Sequence, residues 1–234
     1  MPRLPCLAII PAKGYSSGVP NKNIKKINKI ETIAITILAA KKCKLIDHVY
    51  VTSDSEKILK IAKKYRAFAI KRPKKLCKNS TSLEEVVNHA IIKKIKKNFS
   101  NFNIVLLQPT SILREKNDLT NAIKKYKKNK YDSLFSAVNI HPLFWEEYKN
   151  KIKPINYNLK KRKNRQVMSK YLIENGSFYI FNDKSFEKYN NRLGGKIGYY
   201  LMSNFSIHEI DEQQDLKFMK IIYTNKSKKI LNII

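Results

Sequence analysis

Acid is scarce in this chain: 18 Asp and Glu stand against 48 Lys and Arg, for a net charge of +30 at pH 7 over 234 residues. Cysteine is scarcer still. Cys6, Cys43 and Cys77 are odd in number, far apart and without a C-x-x-C pair, which argues against a disulfide scaffold or a zinc ribbon and fits a reducing compartment. With six glycines and 43% hydrophobic residues the chain is neither fibrous nor disordered. No apolar run approaches the roughly 18 residues that a membrane span needs. The N-terminal "LPCLAII" runs directly into a Pro-Lys-Gly turn without a small-residue cleavage signal, so no signal peptide is read and the cytoplasm is the expected location. The length suits one domain over 1–234.

A charge of +30 invites a nucleic-acid reading. Here the excess is almost all Lys, accompanied by abundant Ile and Asn, the bias an AT-rich coding sequence imposes on surface positions. The lysines are also dispersed, through "NKNIKKINKI", "IIKKIKKN", "AIKKYKKNK" and "LKKRKN", rather than gathered in one arm. Solvated basic faces are therefore expected, with no specific nucleic-acid partner. Such a surface still concentrates small anions. Against the Lys bias the few arginines are informative, because only guanidinium offers a planar fork. Arg72, Arg114 and Arg165 are the ones placed near candidate chemistry.

Hydrophobic patterning alternates strand and helix. Residues 7–10 read as a buried strand, "ETIAITILAAKKC" as a helix, "HVYVTSD" as a strand and "SEKILKIAKKYR" as a helix capped by Asp54 or Ser55. "AFAIKRP", "NIVLLQPT" and "DSLFSAV" read as strands. "TSLEEVVNHAIIKKIKK", with its Thr-Ser-x-Glu start, and "DLTNAIKKYKKN" read as helices. The pattern predicts an α/β fold with a doubly wound, mostly parallel sheet. Residues 140–175, aromatic and basic with Trp145, read as an extension off this core. "GSFYIF", "IGYYLM" and "IHEID" return as short strands before a final helix, "QQDLKFMKIIY", and a tail.

In such sheets ligands bind beyond the carboxyl ends of the strands. The polar turns fall there: Lys13 to Lys22, Thr52 to Asp54, Arg72-Pro73, and Gln108 to Arg114. In "IIPAKGYSSGVPNKN", Gly14 and Gly18 permit a tight loop whose N–H groups face an anion, and Lys22 adds charge. A plain strand-to-helix turn is the alternative. Gln108 and the hydroxyls after it both donate and accept, which suits a sugar. Arg114 is as well suited to structure as to ligand. Glu209 and Asp211 alternate, so a strand would present both carboxylates on one face, as hard oxygens for Mg²⁺ or as two solvated acids on an edge. Asp215 reads as a helix-start residue. His89 and His141 are isolated and receive no role.

The ordered pieces "IIPAKGYSSGVPNKNIK", "VYVTSDSEKI", "KRPKKL", "NHA", "LLQPTSILR", "RQ…YLIENGSFYI" and "IDEQQDL" resemble the CMP-sialic acid synthetase family, the cytidylyltransferases that activate nonulosonic acids. The likeness extends over about residues 7–220 and implies a fold of the nucleotide-diphospho-sugar transferase type. It also implies CTP and a nine-carbon α-keto sugar acid as substrates, Mg²⁺ as cofactor, and a homodimer formed through the 140–175 extension. By the same resemblance Ala12, Lys13, Ser16, Ser17, Gly18, Lys22 and Asn23 would hold the triphosphate, with Arg72, Thr81 and Ser82 near the nucleotide. Gln108, Arg165, Asn175 and Tyr179 would contact the sugar acid, with Arg165 pairing its carboxylate. Packing for Tyr179 and turn chemistry for Asn175 are the other readings. Glu209 and Asp211 would hold Mg²⁺, and Lys22 and Asp211 would carry catalysis. The chain departs from the family at Lys13, usually Arg, at Ser17, usually Lys, at Asn79, usually an acid, and at Glu209, more often Asp. "TSLEEVVNHA" is closer to the sialic and legionaminic branches than to the pseudaminic one. KDO as substrate, or a degenerate fold that binds anions or nucleic acid, are the alternatives.

Overall fold

The computed structural model describes residues 3–16, 18–167 and 171–230, without the side chains of Arg165 and 224–230. Strand β1 (Cys6–Pro11) is buried along its whole length, as expected for a central parallel strand covered on both faces. A small hairpin follows, β2 (Lys26–Ile27) and β3 (Ile30–Glu31), turned through Asn28 and Lys29, both at positive φ. The alternation then proceeds through α1 (Thr32–Lys42), β4 (His48–Ser53), α2 (Glu56–Lys64), β5 (Phe68–Lys71), α3 (Leu83–Ala90), β6 (Asn103–Leu107), α4 (Asp118–Lys128) and β7 (Ser133–Ile140). A hairpin of β8 (Trp145–Tyr148) and β9 (Lys151–Pro154) stands apart from the main sheet. The chain returns as β10 (Tyr171–Asn182), α5 (Asp183–Tyr189), β11 (Ile197–Leu201) and α6 (Gln213–Ile230).

The seven-stranded sheet has the order β11-β7-β10-β6-β1-β4-β5. Its pairs are parallel except those of β10, which runs antiparallel to both β6 and β7. One face packs on Ile33 and Ile37 of α1, Ile58 and Ala62 of α2, and Leu119 and Ile123 of α4. The other packs on Val87 and Ala90 of α3 and Phe186 of α5. Each fully buried Ile, Leu, Val or Phe side chain contributes about 1.5–3 kcal/mol. The sheet is thus doubly wound and mostly parallel. A third apolar cluster joins Val19, Ile112, Leu113 and Ile210 to Leu216 and Met219 of α6, which ties the loop after β1 to the C-terminal helix.

Two boundaries differ from expectation. β7 extends to Ile140 and β10 begins at Tyr171, and these ends pair with one another (Tyr171 with Ile140, Glu174 with Ala137). The projecting part is therefore the β8–β9 hairpin and the turns after it. The second concerns "IHEID", which is irregular chain rather than a strand. At its end the backbone turns into a helix cap instead of a sheet: Asp211 N and the following Glu212 N both donate to Asp215 Oδ2 at 2.9 and 2.7 Å. Asp215 thus acts as the helix-start residue that its position suggests. The final helix runs on to Ile230, and the end of the expected tail, 231–234, lies outside the described residues.

From β1 the chain moves to β4 and β5 on one side, then crosses back to β6 on the other. The carboxyl ends of β1 and β6 therefore flank a topological switch point, where a doubly wound sheet opens a crevice.

Candidate active site

The loop leaving β1 is shaped by backbone contacts. Ala12 is buried and its N–H still donates to Thr52 O (3.0 Å), so the loop departs from the sheet only at Lys13. Gly14 N donates to Asp54 Oδ1 at 2.8 Å, and a Cβ on Gly14 would lie 2.8 Å from Ser55 Cβ. Buried Asn23 closes the loop from its far end, donating from Nδ2 to Lys13 O at 2.8 Å. Ala12 and Asn23 therefore serve the shape of the loop. Ser16 is half-buried, and Ser17 lies outside the described residues. Lys13 Nζ donates to Asn79 Oδ1 (2.8 Å), and Lys22 Nζ pairs with Asp211 Oδ1 (2.8 Å).

Lys13, Arg72, Thr81, Ser82 and Gln108 together line a cavity of about 210 Å³ at the switch point, with the Cys77 thiol beside them. Arg72 is 4% exposed, and its Nε and Nη2 have no hydrogen-bond partner among the described residues. Nη2 lies 3.7 Å from Asp54 Oδ1. A buried guanidinium with unused donors is a strong demand for an acceptor. Ser82 has a second duty. It caps α3, its Oγ accepting from Glu85 N (3.1 Å) while Ser82 N and Oγ donate to the Glu85 carboxylate. The backbone donor of Ser82, then its hydroxyl, holds that carboxyl below its ordinary range.

Arg114 is structural. It is 2% exposed, and Nη2 donates to Gln108 O and Ser177 O, both at 2.7 Å, binding the turn after β6 to β10. Burial lowers its pKa to about 10, with the Glu209 and Asp118 charges opposing the fall. Ser111 Oγ donates to Glu209 Oε1. Burial raises the Glu209 pKa; the Ser111 hydrogen bond opposes this and the Asp211 charge adds to it. Gly176, at φ +65°, would place a Cβ 2.6 Å from Glu209 Oε1, so a side chain there would be strained and would push the Glu209 carboxylate aside. Glu209 and Asp211 flank buried Ile210 on a segment that is not a strand, one engaged by Ser111 and the other by Lys22.

Asn175 and Tyr179 are not among the residues lining the cavity. Asn175 is buried in the bulge of β10; Ser136 Oγ donates to its Oδ1 (2.6 Å) and its Nδ2 donates to Ser206 Oγ (2.8 Å). Tyr179 packs in the core, its hydroxyl donating to Glu174 and its ring lying under the Arg192 guanidinium at 4.6 Å. Burial pushes its hydroxyl pKa upward. The polar atoms of both side chains are thus engaged with other residues of the protein. Arg165 begins a short 3₁₀ turn, Arg165–Val167, and its side chain is outside the described ones. The sequence reading placed Asp54 both as a helix cap and, within the Thr52 to Asp54 turn, on the binding rim, and missed its contacts with Gly14 and Arg72 and that of Ser111 with Glu209. The available signal was that "TSD" ends a strand on the same rim as the glycine loop.

The cytidylyltransferase family model matches residues 7–232. The chain belongs to that family. This cytidylyltransferase is 30% identical over 228 residues to CMP-N,N'-diacetyllegionaminic acid synthase of Campylobacter jejuni, covering 94% of this chain and 96% of that protein. It is 32% identical over 213 residues to N-acylneuraminate cytidylyltransferase A of Danio rerio, covering 89% of this chain but 48% of that longer protein. Its fold matches CMP:2-keto-3-deoxy-manno-octonic acid synthetase, solved with CTP, at a TM-score of 0.71 and 11% identity, over 95% of this chain and 99% of the other.

Proposed function

We propose that this cytidylyltransferase transfers the CMP moiety of CTP to the anomeric hydroxyl of a nonulosonic acid of the sialic or legionaminic type. A bond forms between that oxygen and the α-phosphorus, the α–β phosphoanhydride breaks, pyrophosphate leaves, and the hydroxyl proton passes to water. The observation that carries the reading is the switch-point cavity, where Lys13, Thr81 and Gln108 surround a buried Arg72 with unused donors. Lys13 and Lys22, with the N–H groups of the glycine loop about Ser16, Ser17 and Gly18, would neutralise and orient the triphosphate. Arg72, Thr81 and Ser82 would hold the nucleotide. Gln108 and Arg165 would contact the sugar acid, with Asn175 and Tyr179 bracing the strand behind them. Positioning and charge neutralisation then supply most of the rate enhancement.

Glu209 and Asp211 fit Mg²⁺ as a pair of hard carboxylates. No group of three or more His, Cys, Asp or Glu suited to a metal is found among the described residues, and Mg²⁺ completes its octahedron with water and phosphate oxygens. Bound there, it would supply charge neutralisation on the phosphates. The three cysteines are free thiols, which suits a reducing, cytoplasmic site of action; no described helix is long and apolar enough to cross a membrane. The deciding assay is pyrophosphate release from CTP with a panel of N-acylneuraminic, legionaminic, pseudaminic and KDO acids. Release that requires Mg²⁺ and one of the nine-carbon acids is expected. CTP binding without release on any acid would instead favour an anion-binding protein on a transferase fold.

The same reading includes a homodimer. Trp145, Tyr148, Ile152 and Leu159 are exposed on and after the β8–β9 hairpin, with Trp145 braced edge-on against Tyr157 at 6.0 Å. Exposed apolar side chains gathered on one projection suit a protein partner, and a second copy is proposed to cover them. Light scattering at micromolar concentration should give twice the 27.3 kDa chain mass; a monomer would remove the hairpin from this role.

A further inference from the structure

The strand end that carries Asp54, the Gly14 loop and the Lys71–Arg72 segment meet with a fourth piece of chain. Asp54 Oδ1 accepts from Gly14 N at 2.8 Å and lies 3.7 Å from Arg72 Nη2, while its backbone O accepts from Lys71 Nζ at 3.2 Å. The fourth is the turn at Cys77. Burial raises that thiol, the Arg72 charge opposes the rise, and Asp54 reinforces it. Arg72 is nearly fully buried, and a buried cation needs an anion beside it. The 3.7 Å separation leaves Nε and Nη2 without hydrogen-bond partners among the described residues, so Asp54 balances the charge without occupying those donors. The same carboxylate oxygen fixes the first N–H of the glycine loop. Both walls of the cavity, the Lys13–Gly14 turn and Arg72, are thus referenced to one acid.

We infer that Asp54 is a positioning residue of the nucleotide site, setting the place of the loop through Gly14 and balancing the buried Arg72 charge while leaving its donors free for CTP. This rests on the cytidylyltransferase reading. The competing effect has the opposite sign: a bare negative charge near a triphosphate repels it, and removing such a charge would tighten CTP binding. The two are separated by Asp54→Asn, whose amide oxygen still accepts from Gly14 N but whose charge is gone.

The experiment is calorimetric titration of the full chain with CTP, in wild-type, Asp54→Asn, Arg72→Met and the double variant, with steady-state kinetics alongside. Wild-type binding tests the functional reading first; its absence sinks that reading and the inference together. Given wild-type binding, Asp54→Asn should weaken CTP by about tenfold, within the range for coupled members of one ion-pair network. The loss should appear in KM for CTP rather than in kcat, and in the Arg72→Met background the same change should cost less than about twofold. Unchanged or tighter binding in Asp54→Asn, or an equal loss in both backgrounds, overturns the inference while leaving the enzyme reading intact. Should Asp54→Asn fail to fold, the double variant, which has no unpaired buried charge, should fold; its failure also overturns the pairing.

Discussion

Asp211→Asn should lower turnover by about 10³-fold while tightening CTP binding measured without metal by about two- to fivefold. The two effects have different origins. Asp211 is the more exposed of the two carboxylates proposed for Mg²⁺, its side chain 66% accessible, and an amide is a far poorer ligand for a hard cation. Electrostatic help from a metal on transferring phosphate amounts to several kcal/mol, and about 4 kcal/mol corresponds to the expected loss. The binding effect runs through Lys22. In the ligand-free chain its ammonium is paired with Asp211 Oδ1 at 2.8 Å, and phosphate must compete with that carboxylate. Exposed ion pairs contribute about 0.2–1 kcal/mol, which sets the modest gain when the competitor is neutralised. Calorimetry with CTP in chelator, followed by pyrophosphate release at saturating Mg²⁺, measures both. Wild-type turnover in the variant would make Asp211 an ordinary surface acid that happens to neutralise Lys22.

Much of the fold was legible because the dominant signals are local and repeated. Apolar runs such as "CLAIIP" and "NIVLL" have the length of buried parallel strands, and the helices between them carry their apolar residues at helical spacing. Ser82 and Glu85 announce the start of α3 at the spacing of a capping box, which is what forms. The "IHEID" segment was misread because alternation of buried and polar residues does not itself make a strand; a partner with free N–H and C=O groups is also required. Here Asp215 takes the backbone donors at the end of the segment, and Ile210 is drawn into the cluster under α6. The same limit applies in the site. Residue types at a rim show that Lys13, Arg72 and Gln108 can converge, and the structure places them around one cavity. Types alone cannot show that Asn175 is engaged at both ends of its amide, or that Arg114 is a brace, since both depend on carbonyls and hydroxyls far away in the chain.

Gly18→Ala should reduce kcat by roughly 10²-fold and lower stability by about 1–3 kcal/mol, the usual range for overpacking. A Cβ at this position would lie 2.2 Å from the carbonyl oxygen of Asp211, where an ordinary carbon–oxygen approach is about 3.3 Å or more. Relief therefore requires a movement of about 1 Å by one backbone or the other. The Asp211 side resists, because its N–H is fixed on the Asp215 carboxylate and Ile210 is buried beside it. The loop side resists as well, because Val19 is buried in the same cluster and the turn closes with Lys22 N donating to Val19 O at 3.1 Å. Whichever yields, the spacing between Lys22 and Asp211 changes, and a misplacement of that size can cost about 100-fold in rate. Gly194→Ala is the control. Its Cβ would lie 2.4 Å from the Tyr189 ring and 2.8 Å from Tyr189 Cβ, at the end of α5 and away from the residues that line the cavity, so stability should fall while turnover per folded molecule holds. Thermal melts and kcat for the pair separate general strain from damage to the site. Wild-type kcat in Gly18→Ala would mean that the close approach of the loop to Asp211 has no part in turnover, and that the two charges are positioned independently of it.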